Sequence, residues 1–370
     1  MLQKKTFFLL FICFTISWAF AQSSKEIKSN STFNTLVWSD EFDDDGALDD
    51  DKWFHQTIIP NGVSWFNNEV QHYTNKLDNS FVEDGVLKIV AKRETFTGQG
   101  ITKQFTSARL NTKFAFTYGR VEIRAKLPTG VGTWPALWML GKNITENGAY
   151  WQTQGFGTTG WPACGEIDIM EHWGHNQDFV SSAMHTPSSF GNTVNKGGVE
   201  KEGVSEDFHT YAMEWTADQI VFSIDDVVHY TYNPPVKDDS TWPFYQEQYI
   251  LFNVAMLPNV EANFTESAME VDYIRIYQDQ TTDINELEKE SITVYPNPTD
   301  GQLYIDLDKE FNTKVEVKIF NSNGGLFSHT EENLNGRLLR LTHLENAVNG
   351  SYYILLEIDS ELFSYKVVKR

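Results

Sequence analysis

The sequence predicts an all-β protein: a jelly-roll β-sandwich of the concanavalin-like kind, followed by a small β-sandwich domain. Three observations carry this. From Leu36 onward, short alternating apolar and polar stretches are separated by Gly, Asn, Asp and Pro, with almost no helical periodicity. Many such strands over about 240 residues suit two stacked antiparallel sheets. A charged, aperiodic segment at 281–290 then interrupts the pattern, which restarts on a smaller scale.

Taken in order, residues 1–21 read as a signal peptide. Lys4 and Lys5 form its basic start, residues 6–18 its apolar stretch, and Ala19-Phe20-Ala21 its small-residue cleavage site. The apolar run is too short for a membrane anchor, and no other span approaches ~20 apolar residues, so no transmembrane segment is expected in the mature protein. Cys13 leaves with the signal. Cys164 remains alone, so no internal disulfide can form, and a packed thiol is its expected state. Residues 22–33 are a polar leader, and the large domain occupies 34–279. Within it, residues 119–127 place Val121, Ile123, Ala125 and Leu127 on one face and Arg120, Glu122, Arg124 and Lys126 on the other. Residues 220–232 read as two strands joined through Asp225-Asp226. A linker at 280–290 leads to a second domain at 291–370, with strands over 314–320 and 351–358.

The formal net charge of −22 repels polyanions and excludes nucleic acid as a partner. A neutral polysaccharide fits this balance. So does a protein that must stay soluble outside the cell.

The chemistry concentrates in Gly165-Glu166-Ile167-Asp168-Ile169-Met170-Glu171. Strict alternation puts Glu166 and Asp168 on one strand face and leaves Glu171 out of phase by one residue. A β-bulge at Ile169 or Met170 restores it to the same face. Glu166 and Glu171 then stand four strand positions apart, roughly 13 Å between Cα atoms at ~3.3 Å per residue. Leaning together, their carboxyl groups reach the ~5–6 Å of a retaining glycosidase pair. Crowded carboxyls cannot all ionise cheaply, so at least one pKa must rise. Aromatics surround the run: Trp134, Trp138, Trp151 and Trp161 before it, Trp173 after it. Sugar rings, with apolar C–H faces and polar rims, are bound by such flat side chains plus a few placed polar groups.

These residues carry a resemblance. The run from Gly165 to Glu171 resembles the Glu-x-Asp-x-x-Glu signature of glycoside hydrolase family 16, in the bulged form of laminarinase-like endo-β-1,3-glucanases. The resemblance spans about Leu36 to Gln278. It includes Val37-Trp38-Ser39-Asp40-Glu41-Phe42, Asn67-Asn68-Glu69-Val70-Gln71-His72-Tyr73-Thr74, Ser107-Ala108-Arg109-Leu110 and the closing Val271-Asp272-Tyr273-Ile274-Arg275-Ile276-Tyr277. It implies the jelly roll with a concave substrate cleft and a retaining double displacement. Glu166 is the implied nucleophile, Glu171 the acid/base and hence the natural proton holder, and Asp168 the partner of Glu166. Arg109 and Glu69 are implied beside the reacting sugar, with Asn67 or Asn68 and Asn253 as hydroxyl partners. Trp134, Trp138 and His185 are implied for stacking and hydrogen bonding. After Asn253 the chain departs from the laminarinase pattern, reading Val254-Ala255-Met256-Leu257-Pro258 where a Gly-Gly-x-Trp-like loop is expected. A galactan such as agarose therefore stays open as substrate beside laminarin-type and mixed-linkage glucan. A non-catalytic glycan binder is the reading from another class, although a pure binder has no use for three carboxylates.

No cofactor is expected for catalysis. The resemblance implies one structural calcium, held by the carbonyls of Glu41 and Gly85 and by Asp272. The acidic stretch from Glu41 to Lys52 is not an EF-hand loop, since its last position is lysine and no helices flank it. Zinc at Glu171, His172 and His175 is disfavoured because alternation turns His172 away from Glu171. Val294-Tyr295-Pro296-Asn297-Pro298-Thr299-Asp300-Gly301 and the basic terminus Lys369-Arg370 make the last domain similar to the C-terminal sorting domain of type IX secretion cargo. That resemblance implies the type IX machinery as a partner, outer-membrane export, and a secreted or cell-surface monomer.

Overall fold

Alternation governs the large domain. Val121, Ile123 and Ala125 are fully buried in the strand Gly119–Lys126, while the intervening side chains face outward and pair across strands. Arg120 meets Glu214 at 2.6 Å, and Lys126 meets Glu270 at 3.0 Å. The expected hairpin forms from Ile220–Ile224 and Val227–Tyr232, with Asp225 and Asp226 both at positive φ (49° and 63°), a backbone that short Asp side chains tolerate.

The computed structural model describes residues 31–279, 293–321, 325–358 and 361–370. The signal peptide, most of the leader and the 280–290 linker lie outside the described residues. Two compact units emerge: Trp38–Arg275, and Ile276–Arg370 together with Thr32–Val37.

The first unit stacks a ten-stranded sheet on a seven-stranded one. The seven-stranded sheet runs, edge to edge, Lys196–Glu200, Phe179–His185, Glu166–His172, Thr133–Gly141, Gln248–Met256, Arg109–Phe116 and Trp53–His55. Its inner face contributes Leu137, Met139, Ile167, Met184, Ile250, Phe252 and Val254, all buried. Each such side chain stabilises the fold by about 1.5–3 kcal/mol. Tyr150–Thr153 is the only α-helix among the described residues, and none there has a helix long and apolar enough to cross a membrane.

The second unit is a five-stranded sheet built from Thr293–Tyr295, Leu303–Asn321, Leu326–Leu341, Gly350–Ile358 and Glu361–Lys369. Every second residue enters a single core: Leu303, Ile305 and Leu307, then Val315, Val317 and Ile319, then Tyr352, Ile354, Leu356 and Ile358.

Candidate active site

The strand Glu166–His172 lies near the middle of the seven-stranded sheet, and its register shows where alternation breaks. Trp138 pairs with Asp168, but Leu137 pairs with Met170, so Ile169 is the extra residue. On the other side, Asp168 opposes Ala183 and Glu171 opposes Ser181, again one residue too many. The bulge is therefore at Ile169. Glu166, Asp168 and Glu171 all line one cleft. Gly165 opens the strand at φ +77°, and an added Cβ there would lie 2.8 Å from the Phe244 ring, so only glycine fits.

Each glutamate meets an indole. Trp161 donates its N–H to Glu166 Oε2 at 3.0 Å, and Trp134 donates to Glu171 Oε1 at 3.1 Å. His185 Nε2 sits between two carboxylates, 3.1 Å from Asp168 Oδ2 and 3.4 Å from Glu166 Oε1, aligned on neither for a full hydrogen bond. The amide of Gly191 donates to His185 Nδ1 at 3.1 Å. Nδ1 is thus the acceptor nitrogen, and the ring proton sits on Nε2, facing the acids. Burial is the largest influence on the three carboxyls and lifts each to about 8. The Asp168 charge pushes Glu166 and Glu171 further up, whereas His185 opposes the rise at both. The sequence singled out Glu171 for elevation. The structure elevates all three because all sit in one enclosure.

The cleft has a cavity volume of about 210 Å³ and is partly open to solvent. Period two along Thr133–Gly141 brings Trp134, Ala136, Trp138 and Leu140 to its floor. Ala136 stands in register between Asn253 and Glu171, and its single methyl leaves space beside the carboxylate. The Arg109 guanidinium lies 4.9 Å from the Trp138 ring and 2.9 Å from Glu146 Oε1. Asn253 accepts from the Trp138 indole at 2.7 Å and donates to Tyr73 Oη at 3.2 Å, fixing the ring plane from below. Tyr73 donates to Glu69 Oε2 at 2.9 Å, and Gln71 donates to the same oxygen at 2.6 Å. Burial raises the Glu69 carboxyl above its ordinary range.

Of the residues singled out from sequence, Glu69, Arg109, Trp134, Trp138, Asn67 and Asn253 line the cleft with the three carboxylates. Asn68 and His185 do not. Asn67 and Asn68 are consecutive left-handed residues (φ 51° and 62°), and of the two only Asn67 contributes to the cleft wall. His185 is buried, its ring on Trp161 with centroids 5.8 Å apart and its Nε2 toward the carboxylates. His172 points the other way, its Nδ1 2.9 Å from the Phe179 carbonyl, as alternation requires. Sequence reasoning did not assign Glu146, Phe66 or Trp161 to the site. Trp161 stood in plain view five residues before Glu166. Glu146 comes from a loop with no periodicity and carried no signal.

Comparison with known proteins agrees with this geometry. A family model described as Glycosyl hydrolases family 16 matches residues 66–275, and one described as a secretion system C-terminal sorting domain matches 293–370. A beta-glucanase from Rhodothermus marinus is 39% identical over 259 residues, covering 66% of this chain and 85% of that protein. The crystal structure of the LamA catalytic domain from Zobellia galactanivorans is 46% identical with a TM-score of 0.62, covering 66% of this chain and 98% of that one. A LamA variant solved with laminaritriose and laminaritetraose matches at the same identity and TM-score, covering 66% of this chain and 100% of its own. The second domain is a sorting domain that directs type IX export to the cell surface or the medium. The first makes the chain a glycoside hydrolase, a member of glycosyl hydrolases family 16.

Proposed function

We propose that this chain is a secreted, retaining endo-glycosidase that cleaves β-1,3-linked glucan of the laminarin type, with mixed-linkage glucan as a secondary substrate. The observation that carries the reading is the bulge at Ile169, which gathers three carboxylates on the floor of an aromatic-lined cleft. Glu171 donates its proton to the glycosidic oxygen as the C–O bond breaks, and Glu166 attacks the anomeric carbon to form a glycosyl ester. A water then attacks that carbon, gives its proton to Glu171 and releases Glu166. Burial raises both Asp168 and Glu166, so the pair resists full ionisation, and the reaction uses the form in which Glu166 is the anion. The N–H groups of Trp161 and His185 face that anion. Trp138 offers a ring face to the sugar, its other face held by Arg109, while Asn67 and Glu69 supply polar contacts at the rim and floor. The reading takes the enzyme to act as a monomer after residues 1–21 are removed.

Incubating purified protein with laminarin, lichenan and agarose tests the substrate. The expected result is rapid accumulation of mixed-length oligosaccharides from laminarin, fewer from lichenan and none from agarose. Cleavage of agarose alone would move the reading to a galactan. Binding without new reducing ends would make the chain a glycan-binding protein.

The reading includes one structural calcium at the carbonyls of Glu41 and Gly85 and the carboxylate of Asp272. Hard oxygen donors suit that ion. Asp272 Oδ2 is 2.5 Å from Arg124 Nη1, so the ion has a guanidinium to displace. Chelation should lower the melting temperature by about 5–10 °C, the size expected for loss of an ion held at ~100 times its Kd, and added calcium should restore it. A melting curve indifferent to both removes the ion from the reading.

A further inference from the structure

Ile169, the bulged residue, has a register partner on neither neighbouring strand. Its carbonyl therefore has no place in either ladder, and a buried carbonyl left unpaired is costly. Ser182, fully buried on the adjacent strand Phe179–His185, donates its hydroxyl to that carbonyl at 2.7 Å. The hydroxyl has one proton, so the His229 Nε2 that lies 2.9 Å from Oγ must be the donor of that second contact. His229 Nδ1 is then the unprotonated nitrogen, and it is buried without a partner. Burial holds this imidazole neutral, lowering its pKa to about 4. His229 belongs to Val227–Tyr232 of the opposite sheet, so a chain of hydrogen bonds crosses the apolar core from the ten-stranded sheet to the back of the catalytic strand. Ser182 alternates with Ser181 and Ala183, which pair with Glu171 and Asp168 respectively.

We infer that Ser182 and His229 are positioning residues: a cross-sheet buttress that pins the bulge and so holds Glu171 on the cleft face. The inference rests on Glu171 being the acid/base. A bulge with its carbonyl freed can relax toward regular pairing, and that relaxation swings Glu171 away from the leaving oxygen. Loss of the buttress thus acts on proton donation and spares sugar binding.

Ser182→Ala is expected to lower kcat on laminarin about 10- to 100-fold, the cost of misplacing a catalytic group by ~1 Å, with KM unchanged within about twofold. On a dinitrophenyl β-laminaribioside, whose leaving group needs no acid, the same variant should lose less than about threefold. His229→Leu should reproduce this leaving-group selectivity more weakly, and His229→Gln, which keeps an N–H toward Oγ, should recover most of the rate. Should Ser182→Ala not fold, the His229 pair carries the test. Equal losses on both substrates, or no loss on laminarin, overturn the buttress. Glu171→Gln measured alongside separates the two readings: if it shows no leaving-group selectivity, the acid/base assignment fails; if it does and the buttress variants do not, only the buttress fails.

Discussion

Glu171→Gln is expected to cut turnover on laminarin by about 10²–10⁴-fold, the usual contribution of a positioned general acid. The amide keeps the size of the side chain and can still accept the Trp134 indole N–H that Glu171 holds at 3.1 Å, so the loss reads chemistry and not packing. Glu166→Ala should be at least as severe, because it removes the group that bonds to the anomeric carbon. Azide distinguishes the roles by stereochemistry. In Glu166→Ala, azide attacks the intact glycoside in place of the carboxylate and yields the α-glycosyl azide. In Glu171→Ala, acting on an activated aryl glycoside, the glycosyl ester forms first, and azide displaces Glu166 to give the β-glycosyl azide. NMR of the two products checks both assignments at once, and exchanged anomers would reverse them.

Neutral amides in place of these acids should make the protein more stable, and only at the alkaline end. Glu166, Asp168 and Glu171 have native pKa values lifted to about 8 by burial, above those of the unfolded chain. The native state therefore holds protons that the unfolded chain releases. Stability from this source is complete below about pH 4 and drains as the pH climbs toward 8. A neutral amide at 171 or 168 removes the penalty. Glu171→Gln and Asp168→Asn should match the wild type in melting temperature near pH 4. At pH 8 each should exceed it by about 4–8 °C, on the order of 2 kcal/mol for one member of a coupled trio, at 2–4 °C per kcal/mol. Calorimetry across that range is the measurement, and a pH-independent offset would show that the gain comes from something other than ionisation.

Both results trace to a feature half visible in the sequence. A carboxylate out of phase with two others demanded an irregular strand, and the spacing narrowed it to two residues. Only the pairing of Leu137 with Met170 and of Trp138 with Asp168 selects Ile169. The sandwich was legible because period-two patterning is local, and positions such as Val121 and Ile123 declare their face by themselves. The cleft walls were less so. Asn67 and Asn68 differ only in the direction a left-handed turn gives them, and Glu146 reaches Arg109 from 37 residues away through a loop without periodicity. His185 was found by sequence, but its orientation was not. Its role follows from the Gly191 amide on its far nitrogen, a contact no linear pattern encodes.

The bulged strand also bears on how such domains diverge. One supernumerary amino acid separates a kinked backbone from an even one, and either can present the same acids to polysaccharide. Deleting the codon for Ile169 would restore even pleating and still keep all three acids on one side, because Glu166, Asp168 and Glu171 would then follow one another at every second position. Within this architecture, two strand geometries that serve one catalyst lie a single in-frame deletion apart.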